Sequence, residues 1–403
     1  MLLPAATLLL SGAAAADAPL SVHADRASHV PHSHVHAPGE IDESHDPLLL
    51  QITYTGEVMG NAAGGVRRGA RYLDNLDLVF EADMGALVGW RGARVHVYGL
   101  YNNGRSISDL VGDAQAVSNI ETGVSALRLY EAWADQKLGK SASIRVGLYD
   151  LNSEFDALDA AGLFVSSPNG IGTDIAQSGR NGPSIFPSTS LAARFDIAPA
   201  DGWTIRAAVL DGVPGDPNHP RRTSVRLGNG DGALLIGELQ APVGGGKLLL
   251  GHWRYTAKQD RLDGSGRARE NSGVYVRGEL PLVKRGKRQL DGFARLGTAD
   301  GRLAMFDRFA GGGLKFSGWV PGRDADDFGL AIAAAFTSRD YRLTSVAAAS
   351  EIAVEATYRA RVNDWLLVQP SLHYIRNPNA DPALADALVL GFRFEASHSL
   401  LGF

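Results

Sequence analysis

The sequence predicts an all-β fold, a transmembrane antiparallel β-barrel of about sixteen strands. Two observations carry this. From Leu48 onward the chain breaks into segments of about eight to twelve residues in which apolar and polar side chains alternate, each bounded by Gly, Pro, Asn or Asp clusters. The connections between these segments alternate between short and long, as the two ends of an up-and-down barrel require.

Composition agrees with that fold. The chain has 403 residues, 45% of them hydrophobic, with 48 glycines, a length that suits one closed barrel. Beyond the N-terminus no run approaches the roughly 18 to 20 apolar residues a spanning helix needs. Alternating strands cross a bilayer with a mean hydropathy near zero, so a membrane location stays open. Cysteine is absent, which removes thiol catalysis, thiolate metal sites and disulfides and is compatible with export. The formal net charge of −5 speaks against nucleic acid as a partner.

Residues 1–18 read as a cleaved signal peptide, in which the apolar run Leu2 to Leu10 passes into the small residues Ala13 to Ala16, although Lys and Arg are missing ahead of it. Residues 19–47 read as a flexible segment, with His23, His29, His32, His34, His36 and His45 set among Pro, Ser and acidic residues. Neutral imidazoles bind Zn, Cu or Ni, but a disordered tract supplies no fixed geometry, so a solvated tail is expected and neither a metal site nor a cofactor is assigned. Residues 48–403 are the expected barrel.

In chain order the strands are expected at 50–58, 72–83, 93–102, 124–136, 142–149, 189–196, 203–210, 232–240, 247–256, 272–280, 289–297, 309–317, 328–336, 350–359, 365–375 and 385–394, an even number as single-chain bacterial barrels require. In the second, Leu76, Leu78, Phe80 and Ala82 share one face and Asp77, Glu81 and Asp83 the other. The third sets Val95 and Val97 against Arg94, His96 and Tyr98, and the fifth sets Ile144, Val146 and Leu148 against Arg145 and Tyr149. Later strands repeat the split, as with Val274 and Val276 against Arg277 and Glu279, Ile352 and Val354 against Glu355, and Leu388, Leu390 and Phe392 against Arg393. Short links are expected after the even-numbered strands and long ones after the odd-numbered. With a periplasmic N-terminus, the short links are periplasmic turns and the long ones extracellular loops. The longest connection, Asp150 to Ser188, is expected to fold into the lumen and narrow what an empty sixteen-stranded barrel leaves as a wide channel.

Several segments stand in a recognisable order: Tyr54-Thr-Gly-Glu57, Asn75-Leu-Asp-Leu78, Gly89-Trp90, Gly112-Asp113 with Ser118-Asn-Ile-Glu121, Arg128-Leu-Tyr-Glu131, Gly147-Leu-Tyr-Asp150 with Asn152-Ser-Glu-Phe155, Gly182-Pro-Ser184, Asp211-Gly-Val-Pro-Gly-Asp-Pro217, Gly311-Gly-Gly-Leu314, Pro321-Gly-Arg323 and Gln369-Pro370. As an ordered set, from about Ile52 to Phe394, they resemble the carbohydrate-selective porins of Gram-negative outer membranes. The resemblance implies passive diffusion of small, glucose-like sugars through a lumen lined by arginines, carboxylates and aromatics. Sugar hydroxyls suit bidentate Arg and carboxylate partners, and sugar ring faces suit aromatic planes. The candidate pore-lining residues are Glu57, Arg94, Arg128, Arg145, Tyr149, Asn152, Glu154 and Arg206. Two departures stand out. Arg128 and Glu131 lie on opposite parities, which a rim position or a bulge would resolve, and nine residues follow Phe394 before the terminal Phe403, so either aromatic is a candidate signal for the barrel-insertion machinery.

The expected partners are small sugars, outer-membrane lipids and the insertion machinery, with monomer and trimer both open. Three other kinds of protein share parts of this pattern. A general porin, or one for another small polar solute, differs only in its lumen. A secreted adhesin does not need the alternating links. An outer-membrane enzyme needs a site such as Ser371, His373 and Asp364, and a rise of about 7 Å between positions i and i+2 sets the first two too far apart for a nucleophile–base hydrogen bond. No catalytic residues are assigned and no enzyme is expected.

Overall fold

The computed structural model describes residues 47–228, 230–268 and 271–401. The expected signal peptide, the His-rich segment apart from Pro47, and Phe403 lie outside the described residues. Sixteen strands form one closed barrel: β1 (Leu48–Gly65), β2 (Gly69–Asp83), β3 (Ala93–Asn103), β4 (Ser125–Leu138), β5 (Ala142–Tyr149), β6 (Ser190–Ile197), β7 (Thr204–Asp211), β8 (Ala233–Val243), β9 (Gly246–Tyr255), β10 (Ser272–Arg285), β11 (Arg288–Ala299), β12 (Phe306–Ser317), β13 (Asp327–Thr337), β14 (Ser350–Asn363), β15 (Leu366–Arg376) and β16 (Ala385–Leu401). Each pairs antiparallel with its chain neighbour, and β1 closes on β16 with Glu57 opposite Arg393.

The alternation sets the two faces. Leu78, Val146, Leu250, Leu296, Leu330 and Leu390 point outward and stay about half exposed, whereas Asp77, Arg277, Arg295, Glu355 and Arg393, on the other parity, are buried. In water such an apolar girdle is penalised by about 25 cal/mol per Å²; against lipid tails it is not. Four of the six tryptophans, Trp90, Trp203, Trp319 and Trp365, sit in the turns at one end, the interfacial position that amphipathic rings favour.

The structure differs from the alternation pattern in four places. The first link is only residues 66–68, because the β1–β2 ladder continues to Asn61 opposite Gly69 and the Asn61 amide ties the tip to the carbonyls of Gly64, Arg67 and Leu110. The next, residues 84–92, is longer and holds a short helix, Met84–Val88, capped by Asp83. The link after β11 (300–305) is likewise shorter than that after β12 (318–326). Finally, β16 runs past Phe394, which lies mid-strand opposite Gly56 and Val368, on to Leu401. In β4 the register slips at Tyr130, so Arg128, Tyr130, Glu131 and Trp133 are all buried. That bulge accounts for the charges on both parities.

The core lies inside the barrel. Residues 150–189 fold inward, and Leu151, Phe155, Ile171, Ile175 and Ile185 pack against the wall residues Trp253, Tyr255 and Tyr275. The 104–124 connection also turns in, setting Ile107, Leu110 and Val111 against Met59, Leu73 and Val389.

Candidate functional site in the barrel lumen

A loop inside a barrel buries backbone groups that need partners, and the wall supplies them. Glu238 accepts from the N–H of Asp156 (2.8 Å), Glu279 from those of Asp159 and Ala160 (3.1 and 2.8 Å), and Glu355 from those of Val165 and Ser166 (2.7 and 3.0 Å). Gln369 donates to the Leu163 carbonyl (2.7 Å), and Arg295 to the carbonyls of Asn169 and Gly170. At the centre Asp156 meets Arg277 at 2.5 Å and Arg295 at 2.6 Å, all three fully buried. Burial pushes the Asp156 carboxyl up, but the two guanidiniums outweigh it and hold it below the usual range. Its neighbour Asp174 goes the other way, pushed up to about 6 by burial, with Arg277 opposing and Asp156 adding to the rise.

Beside the loop runs a ladder of both signs. Arg194 reaches Asp135 (3.0 Å) and Glu154 (2.8 Å), Arg206 reaches Asp196 (2.9 Å), and Arg145 reaches Asp135 (3.2 Å) and Glu154 (3.6 Å). The Arg145 guanidinium lies 3.6 Å over the Trp133 ring, which stacks on His96 at 4.6 Å. Tyr149 donates to Glu154 at 2.5 Å. Burial raises the Glu154 carboxyl, but Arg145, Arg206 and Arg194 together hold it well below the usual range, so it stays ionised. The side chains of Arg145, Asp135 and Glu154 keep 14–15% of their surface exposed.

Of the residues singled out from the sequence, Arg145, Tyr149, Glu154 and Arg206 converge here. Asn152 pins the start of the inner loop through the carbonyls of Phe155 and Gly170. The others lie apart. Glu57 accepts from Ser118 (2.5 Å) and Arg393 (3.2 Å), Arg128 donates to the Pro220 carbonyl (2.6 Å), and Arg94 is exposed at the start of β3. Trp133, Asp135 and Arg194 escaped the sequence reading. The bulge at Tyr130 resets parity before Trp133 and Asp135, while Arg194 was legible, since it alternates with the outward Phe195.

Ser371 and His373, expected to stand too far apart for a hydrogen bond, are within reach of each other. Their side chains converge to 2.9 Å, and His373 Nδ1 lies 4.0 Å from Glu355. Side chains on one face lean together, and Cα rise alone does not measure their reach. Glu355 is nonetheless committed to the inner loop, and Gly391 presses so close that a Cβ there stands 2.3 Å from Ser371 Oγ. All three side chains are buried in the barrel wall.

An apolar exterior, a charged lumen and an inward-folded loop define a barrel channel, a porin. The carbohydrate-selective porin family model, OprB, matches residues 67–397, and the chain belongs to that family of outer-membrane channels. It is 24% identical to Porin B of Pseudomonas aeruginosa over 86% of each chain. Among solved structures it is similar to Pseudomonas putida OprB at high pH (TM-score 0.76, 22% identity, 88% of this chain and 94% of that one). It is also similar to the DcaP channel of Acinetobacter baumannii (TM-score 0.53, 11% identity, 89% and 99%). At these identities the structural likenesses carry the fold, and the family match carries the class: a carbohydrate-selective porin of the bacterial outer membrane.

Proposed function

We propose that the passage takes small neutral sugars of monosaccharide size, glucose-like, by passive diffusion, and that Arg145, Asp135 and Glu154 above the Trp133 ring form the recognition surface. The observation that carries this is the mixed-sign ladder. Its charges are already paired, so it offers bidentate donors and acceptors to hydroxyls without a strong field for ions. Weak, exchangeable contacts of this kind suit conduction. Arg94 is exposed at the start of β3, away from the ladder's ion pairs. Glu57, Arg128, Tyr149, Asn152 and Arg206 act from behind, holding the loops that set the bore.

Liposome swelling tests the proposal with glucose, maltose and succinate. The wild type should favour glucose, and Arg145→Ala and Glu154→Ala should each change glucose flux about threefold or more while keeping heat-modifiable gel mobility, the mark of a folded barrel. Unchanged uptake in both variants removes these residues from the pathway, and equal uptake of all three solutes makes the channel a general one.

A further inference from the structure

Sugar passage does not use the rim of the barrel between β10 and β13, at the end that carries the tryptophans. The β10–β11 turn reads Lys284, Arg285, Gly286, Lys287, Arg288, and its four cations are all exposed. A bulge between Pro281 and Val283 shifts the parity of β10, so that Val283 and Arg285 pair with Leu290 and Arg288. Arg288 continues the outward parity of Leu290 and Leu296. Two arginines therefore stand directly opposite each other on the membrane face, an arrangement that is unfavourable without a counter-charge. Lys287 has Asp324 at 2.6 Å, but among the described residues no carboxylate lies within ion-pair distance of Arg285 or Arg288.

An aromatic shelf adjoins the pair. Trp319 lies 5.8 Å from the Arg288 guanidinium, donates to the Gln289 carbonyl at 2.8 Å and meets Phe316 edge-on, and Phe316 stacks on Phe328 at 4.3 Å. Arg285, Arg288, Val283, Trp319 and Asp324 wall an open cavity of about 550 Å³. Next to it the membrane face is apolar, with Leu282 and Leu314 exposed.

We propose that this cleft binds an anionic glycerophospholipid of the periplasmic leaflet. Arg285 and Arg288 hold the phosphate, Trp319 sits at the glycerol level and the acyl chains run over Leu282, Leu314 and Phe316. Charge names the head, the adjoining apolar band names the tails, and the short-turn end of the barrel places both in the inner leaflet.

Native mass spectrometry of delipidated full-length protein tests this, with titration of phosphatidylglycerol, phosphatidylethanolamine and inorganic phosphate. Phosphatidylglycerol should bind more tightly than phosphatidylethanolamine. The double variant Arg285→Ala with Arg288→Ala should lower that preference about ten- to thirty-fold. Lys137→Ala with Lys140→Ala, at another turn, should leave it intact, and both variants should keep wild-type conductance. The proposal is overturned by a preference that survives loss of both arginines or by none in the wild type. Displacement by millimolar phosphate overturns it in favour of a small-anion site, and a changed oligomeric state with unchanged lipid binding does so in favour of a contact between copies.

Discussion

Asp156 is the residue on which the bore most depends. It neutralises two guanidiniums where water does not reach, and both reach it from strands of the wall, with Asp174 as a second, weaker partner of Arg277. Removing one partner of a buried pair costs about 3–5 kcal/mol, because the other charge is left uncompensated. Asp156→Ala should therefore release the loop, raising single-channel conductance severalfold and weakening any block by sugar, whereas wild-type conductance in that variant would show that the loop is held by its other contacts. None of this was legible from the sequence, where Asp156 is one acidic residue in a long loop. Its partners Arg277 and Arg295 lie on strands more than a hundred positions away.

The 104–124 connection makes a pH-dependent contribution. Burial, and then the Glu351 carboxylate, push Asp113 up to about 7; burial, and then Asp113, push Glu121 up to about 8. In the unfolded chain both ionise near pH 4. The folded state then holds more protons between about pH 4 and pH 8, and stability falls as pH rises through that window. Asp174 and Asp150, pushed up to about 6 and about 8, act in the same direction. The melting temperature in detergent should decline from pH 5 to pH 8 and level off above. Glu121→Gln, which still accepts from Ser106 and Ser108, should shallow the decline; a melting temperature that rises over this range would contradict the assignment. Elements of this kind are the part that alternation reads least well. It located all sixteen strands, because period-two patterning reports the face each strand turns to lipid. It missed the long β1–β2 ladder, whose tip is held by Asn61 and glycine turns, and ended β16 near Phe394 where the strand runs on to Leu401.

At the scale of the whole molecule, fold and class were both written in the sequence, for physical reasons. A barrel must repeat one pattern on every strand, and the repetition survives local exceptions such as the bulge at Tyr130. The lumen was less legible, because an inward arginine that pairs with a carboxylate to hold a loop looks the same in sequence as one that meets a solute. Arg145 and Arg206 both alternate inward, yet only Arg145 has its guanidinium stacked on Trp133, beside Asp135 and Glu154. In the function proposed above, this ladder and the strapped loop make a narrow path selective for small sugars. The most direct test of that selectivity is single-channel conductance of the purified protein in planar bilayers, titrated with glucose, maltose, succinate and arginine. A small open-channel current that glucose blocks saturably, while succinate and arginine do not, is the expected result. A current that glucose leaves unchanged, or that all four solutes reduce alike, would contradict it.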